Sequence, residues 1–378
     1  GDRPFYYQDI QVDPSNPDRV YHIAGDLRVS DDGGESFQSA TRGESVHVDH
    51  HALWIDPNDA STVVDGNDGG VYVSQDRGET WRFVENLPLS QFYEISVDDA
   101  TPYHVYGGLQ DNGSWYGPGE TWRGFGIRNY QWIYVGIGDG FATMPDPNDE
   151  RYGWFAWQEG NLMRFDKETG YRRWAKPAPP ADSVDLRYNW NAPLEMSPHD
   201  GNTIYLGAQF VYRSTDDGMS WERISPDLTT DSAAWQQQTK SGGLTLDVTG
   251  AENYTTVYTV DESPVEQGVV WAGTDDGNVH VTRNGGESWT AVHANMPDKP
   301  RHSWVSHIQA SPHDAGTAYA AVHDYMRGDF TTYVYRTTDY GQSWSRLPTD
   351  GVDGFARVVL EDPENPSLLW VGTEFGLF

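Results

Sequence analysis

The chain has no cysteine among its 378 residues, which removes a disulfide framework, a thiolate metal site and a cysteine nucleophile from consideration. Lysine is nearly absent as well. Lys167, Lys176, Lys240 and Lys299 are the whole set, and with arginine the basic residues number 25 against 57 acidic ones, a net charge of −32. A surface of that sign repels phosphate, which excludes a nucleic-acid binder and a protein held to anionic lipid by basic clusters. Long apolar runs are also missing. No stretch approaches the roughly 20 residues that a spanning helix needs, and mean hydropathy is −0.68.

Aromatic side chains and chain-turning residues fill the space that these absences leave. With 16 Trp, 22 Tyr and 13 Phe the chain carries ample apolar surface, and 40 Gly with 22 Pro point to many short strands and turns. An Asp-rich, Lys-poor surface suits high salt, where dense charge keeps a protein hydrated and repulsion is screened, so a saline habitat is expected.

Self-similarity decides the architecture. A phrase of apolar-Asp-Pro or apolar-Ser-Pro, a polar turn and a strand ending in Gly recurs eight times, anchored on Asp13, Asp56, Asp98, Asp146, Ser197, Ser263, Ser311 and Asp362. The intervals are 43, 42, 48, 51, 66, 48 and 51 residues. A second phrase, S/T-x-D-x-G-x-S/T-W/F, follows in five copies: Ser30 to Phe37, Ser74 to Trp81, Ser214 to Trp221, Thr282 to Trp289, where Asn284 replaces Asp, and Thr337 to Trp344. Its Asp accepts backbone N–H groups in a tight turn, its Gly takes positive φ, and its aromatic fills space between sheets. These aspartates are therefore expected to be structural.

Four short strands per module of about 40 to 50 residues predict an all-β fold, a β-propeller of four-stranded blades, about seven complete plus a partial one. Modules three and four, GGLQDNGSWYGPGETW and NLMRFDKETGYRRW, keep the outline without the signature. The long interval holds an insertion at 226–253. The last module stops at Gly376-Leu377-Phe378, just where a signature hairpin would begin, and the chain opens at Gly1. Residues 1–378 thus read as one propeller segment of a longer chain.

The signature resembles the Asp-box, or BNR, repeat of bacterial sialidases, xyloglucan hydrolases and sortilin-type receptors. More narrowly, HVDHHALWIDPND, GNDGGVYVSQDRGETW, VYGGLQDNGSW and RYNWNAPLEMSPHDGNTIYLG are similar to large bacterial secreted proteins labelled sortilin-like or glycosyl-hydrolase-like. The resemblance implies an extracytoplasmic propeller, secreted, periplasmic or at the cell surface. The absence of a Phe/Tyr-Arg-Ile-Pro segment speaks against a sialidase.

Ligand-binding residues are expected where the inner strands begin. Those positions hold Tyr6 and Tyr7, Asp49 with His50 and His51, Phe92 and Tyr93, Asp139, Trp190 and Asn191, His302, Trp304 and His307, and Phe355 with Arg357. Aromatic faces beside a few polar groups suit a sugar platform. In an extended run, His47, Asp49 and His51 would share one face and could ligate a divalent metal, or Asp49 could orient an imidazole. The alternative is that all of them simply hydrogen-bond around the channel. Asp111 and Asp139 are Gly-flanked carboxylates in the two modules that break the repeat; with Asp49, and with His50 or His51 tuning them, they are the candidates for a glycosidase acid and base.

Three functions stay open: a glycoside hydrolase, a noncatalytic sortilin-like interaction propeller, and a structural subunit of a surface assembly. The expected partner is a glycan or an extracellular protein, together with the rest of a longer chain or a partner subunit. No cofactor is expected beyond an incidental calcium ion, to which abundant Asp and carbonyl oxygens are suited.

Overall fold

The computed structural model describes residues 9–41, 45–87, 89–181, 183–237 and 253–378. The expected Tyr6 and Tyr7, and residues 238–252 of the insertion, lie outside the described residues. Among those described, every regular element is a strand or a single 3₁₀ turn. The strands form seven four-stranded antiparallel sheets in sequence order and a two-stranded eighth, the blade series of a β-propeller. The chain divides into two compact units, Gly1–Gln91 with sheets one and two, and Phe92–Phe378 with sheets three to eight.

The two alternating phrases do what their chemistry predicts. Each Asp-Pro or Ser-Pro marker follows an inner strand and caps the turn to the next one. Asp13 Oδ1 accepts the Ser15 amide at 2.7 Å, and Ser197 Oγ accepts the His199 amide at 3.3 Å. Asp and Ser interchange here because both offer an oxygen to the N–H two residues on. In the signature hairpins the geometry repeats nearly atom for atom. Asp216 accepts the Ser220 amide at 2.8 Å, the Ser220 hydroxyl at 2.6 Å and the Ser214 hydroxyl at 2.8 Å, and Ser214 Oγ accepts the Gly218 amide. Gly218 has φ +69°, which is why glycine stands there. Asn284 reproduces the loop by donating Nδ2 to Ser288 Oγ at 2.9 Å.

The signature tryptophans of sheets two, five and six then tie each of those sheets to its predecessor. Within the first unit Trp81 Nε1 donates to Ala40 O, and within the second Trp221 donates to Ala175 O and Trp289 to Ile224 O. Trp344 is the exception. The corresponding carbonyl of Val292 accepts the Asn295 amide of a 3₁₀ turn instead, and the Trp344 Nε1 is buried without a partner. Each consecutive pair of sheets within a unit encloses its own apolar cluster, for example Tyr21, Leu27 and Leu53 between sheets one and two and Trp154, Leu194 and Leu206 between four and five.

Sheet three departs from the module outline. Its fourth strand is Ile133–Gly136, well past Trp122, because the residues between Pro118 and Ile133 leave the sheet as an excursion carrying the 3₁₀ turn Asn129–Gln131. Sheet four closes with Arg172–Trp174, as the sequence outline anticipates.

The hairpin aspartates supply a prediction. Hydrogen bonds, the Ser220 hydroxyl first, hold the Asp216 carboxyl down at about 2. Asp216→Ala should cost about 1–2 kcal/mol at pH 7, as expected for a partly exposed, charge-assisted cluster. Because the folded pKa is depressed, that stabilisation is present above about pH 4 and lost as pH falls toward 2. Chemical denaturation of wild type and variant should show the gap narrowing as pH falls from 4 to 2; a gap that does not narrow would refute the assignment.

Candidate functional site

In the second unit, three consecutive residues leading into the inner strand Leu194–Met196 of sheet five reach three carboxylates on three other sheets. Asn189 Nδ2 donates to Asp275 Oδ2 at 3.1 Å, Trp190 Nε1 to Asp139 Oδ2 at 2.8 Å, and Asn191 Nδ2 to Glu94 Oε1 at 2.8 Å. Asp275 follows the strand Val270–Thr274 of sheet six, Asp139 precedes the inner strand Gly140–Pro145 of sheet four, and Glu94 lies in the inner strand Phe92–Val97 of sheet three. Neutral amide and indole donors suit this work, because they satisfy buried carboxylates without adding charge.

Asp139 is the centre of this end of the unit. It is 6% exposed and also accepts the Asp111 amide at 2.7 Å. The glycines around both aspartates have a packing reason. A Cβ on Gly108 would sit 2.0 Å from the Gly140 carbonyl carbon, and one on Gly140 would sit 2.2 Å from the Gly113 oxygen, so only glycine lets sheets three and four approach. Asp111 itself has φ +59°.

A second set of acids lies on the inner strands. Burial raises the Glu94 carboxyl above its usual range, against the donor from Asn191. Burial, then the neighbouring Asp261, raises Glu195 well above the carboxylate range. Burial brings Asp261 up to about 7, opposed by the Ala310 amide that it accepts at 2.5 Å. Burial, then Asp276, raises Asp275 to about 8, opposed by donors from Thr256 and Asn189. Burial thus favours the protonated form of both Glu195 and Asp261, and each charge disfavours the other.

Aromatic rings flank these acids. Tyr258, on the inner strand Val257–Glu262 of sheet six, meets Trp304 edge to face at 5.1 Å, and Trp304 stacks with Tyr254 at 6.1 Å and His323 at 5.8 Å. Burial and then Glu94 push the Tyr258 hydroxyl up to about 12, with Arg357 opposing, so tyrosine, glutamate and arginine share one locality. Arg357 lies over Phe355 at 4.9 Å. Phe92 and Tyr93 are both partly exposed, and Tyr93 packs on Phe141 at 4.5 Å.

The first unit holds the remaining sequence candidates. The extended run expected over His47 to His51 is interrupted, since Asp49 has φ +63° and the strand begins at His50. The period-two alignment of His47, Asp49 and His51 is therefore corrected. His50 is buried and shares a hydrogen bond with Asp65 at 2.8 Å, while the half-exposed His51 pairs with Asp68 at 2.9 Å. His47 Nδ1 lies 3.0 Å from its neighbour's carbonyl, Val48 O. Among the described residues no group of three His, Asp or Glu is arranged to hold a metal ion.

The structure thus brings Asp111, Asp139, Trp190 and Asn191 together in one network in the second unit, while Asp49, His50 and His51 belong to the first. Sequence reasoning missed Glu94, Glu195, Asp261 and Asp275. A signal for two of them was present: Glu195 and Asp261 each stand two residues before a repeat marker, Ser197 and Ser263, a position that holds Gln, Trp, Ser, Met or Leu in the other modules.

No family model matches the chain. Over an alignment of 283 residues it is 25% identical to the xyloglucanase Xgh74A of Acetivibrio thermocellus, taking in 58% of this chain and 32% of that protein. The chain therefore spans about a third of the length of the curated relative it matches. Among solved structures, the β-propeller domain of Cps50 (Swd1) from Myceliophteria thermophila aligns over 87% of this chain and 96% of its own, at TM-score 0.52 and 10% identity, a likeness of fold alone. An ancestral GH74 enzyme aligns over 97% of this chain and 43% of its own, with TM-score 0.39 and 16% identity. The chain is an all-β propeller protein with distant sequence similarity to GH74 xyloglucanases, which are Asp-box β-propeller glycoside hydrolases.

Proposed function

We infer that the protein acts outside the cytoplasm and binds a glycan at the end of the second unit where the inner strands begin, with Trp304, Tyr258 and Trp190 as stacking surfaces and Glu94, Asn191 and Arg357 meeting hydroxyls. The observation that carries this reading is the locality shared by Trp304, Tyr258, Glu94 and Arg357, rings beside hydrogen-bonding groups in a chain related to xyloglucanases. Calorimetry with xyloglucan-derived oligosaccharides tests it. Wild type should bind, Trp304→Ala should weaken binding about tenfold, and Glu94→Gln should weaken it with the fold intact. If no neutral oligosaccharide binds while an extracellular protein does, the sortilin-like interaction reading replaces it.

A second reading adds hydrolysis. It is favoured by the two inner-strand carboxyl groups Glu195 and Asp261, whose burial favours the protonated form, since a glycosidase needs one protonated and one ionised carboxyl group. Glu195→Gln should then abolish reducing-sugar release while leaving oligosaccharide affinity within about twofold. Release that survives this change would remove Glu195 from the mechanism.

A further inference from the structure

The outer edge between sheets four and five carries a cavity of about 540 Å³. It lies between the last strand of sheet four, Arg172–Trp174, with the proline-rich segment that follows, and the signature hairpin and last strand, Glu222–Arg223, of sheet five. Its charge is reversed relative to the chain. Where acids outnumber bases 57 to 25 overall, the cavity is lined by three cations, Arg173, Lys176 and Arg223, two tryptophans, Trp174 and Trp221, and no acid at all.

Two of the cations are partly engaged by the fold. Arg173 donates to the Asp217 and Gly218 carbonyls, and Lys176 to the Glu159 carbonyl. Arg223 differs: its guanidinium lies over the Phe210 ring at 4.9 Å and has no carboxylate partner among the described residues. Directly across the strand pair from it stands Tyr212, only 3% exposed, whose hydroxyl is buried without a hydrogen-bond partner. The orphaned buried hydroxyl is the costly member of this pair, and an acceptor arriving beside the exposed Arg223 guanidinium would satisfy it. Trp174 completes the set. Its ring is 51% exposed yet held by an edge-to-face contact with Trp157 at 5.6 Å, so a flat apolar surface is presented already fixed.

We propose that this cavity is a second carbohydrate site, specific for an acidic saccharide: the sugar ring packs on Trp174, and its carboxylate is received by Arg223 and the Tyr212 hydroxyl. The volume suits one or two sugar units. A pyranose combines an apolar ring face with a carboxylate on the same small body, which matches a ring and a guanidinium at opposite sides of a compact hollow. An acidic peptide would instead favour an open groove or strand edge along which its backbone could pair. The site stands apart from the glycan reading above and does not depend on it, since none of the Trp304 cluster lines it.

The test is titration calorimetry of the whole chain with trigalacturonate, the matched neutral galactotriose, and a short polyglutamate. Trigalacturonate should bind and weaken as salt rises, and galactotriose should bind at least tenfold more weakly. Arg223→Ala should weaken trigalacturonate at least tenfold, Arg223→Lys by less, and Trp174→Ala at least fivefold, while Trp304→Ala leaves it unchanged. Unaltered thermal unfolding of Arg223→Lys serves as the folding control. Equal affinity for the neutral trisaccharide, equal affinity for polyglutamate, indifference to Arg223, or no binding by wild type would each overturn the proposal.

Discussion

Asp139→Ala should lower the unfolding free energy of the second unit by about 2–3 kcal/mol, because two part-buried donors each lose their acceptor. The donors are the Trp190 indole at 2.8 Å and the Asp111 amide at 2.7 Å, and they converge on a side chain that is 6% exposed. Against a total stability of about 5–15 kcal/mol for a domain, the loss is large. Asp139→Asn should fall between wild type and Ala: its Oδ1 can serve one donor, but its Nδ2 must then face the other N–H. Denaturant titration of the three proteins decides. Equal stability of wild type and Asp139→Ala would mean that the carboxylate is not a structural tie, and would return it to the list of groups free to do chemistry.

That expectation also locates what sequence could and could not reveal. The repeat phrases specify local chemistry completely enough to be read by eye: Asp216, Gly218 and Trp221 each perform the task that their type and spacing predict. The blade series follows, because short strands, of two to nine residues, between such turns have few other ways to pair. Asp111 and Asp139 were also legible as departures from the rule, yet the reason for departing was not. It is the close backbone approach of Gly108 to Gly140 and the arrival of Trp190, 51 residues further on, that convert an isolated Asp into a buried acceptor. Non-local contacts of this kind leave no trace in spacing.

The histidine run shows the opposite failure. His47 to His51 looks like alternation, but a single left-handed residue, Asp49, breaks it, and His50 turns inward to Asp65. Asp and Asn tolerate that conformation better than most residues, so an Asp in the middle of an apparent strand is a weak guarantee of extension. The inner-strand acids were hidden for a further reason. Glu195 and Asp261 differ from surface carboxylates only in the face on which they fall, and that face is defined by register, which the markers two residues later supply.

Asp261→Asn should stabilise the protein at pH 8 by about 2 kcal/mol and should flatten its loss of stability with rising pH. Burial lifts the Asp261 carboxyl from 3.8 to about 7 and Glu195 in the same direction, so between pH 4 and 7 the folded chain holds protons that the unfolded chain has released. Stability is therefore intact below about pH 4 on their account and falls as pH climbs through 7, at most about 1.4 kcal/mol per pH unit for each such proton. The depressed hairpin carboxylates, Asp32 and Asp216 at about 2, act with the opposite sign and only below pH 4. Together they predict greatest stability near pH 4 to 5 in the wild type and a broader maximum in Asp261→Asn, measured by urea unfolding across pH 3 to 9. A wild-type profile that rises from pH 5 to 8 would show that these acids ionise freely. A stabilising Asp261→Asn or Glu195→Gln that also ends sugar release would mean that the fold tolerates buried carboxyl groups on its inner strands because the reaction uses them.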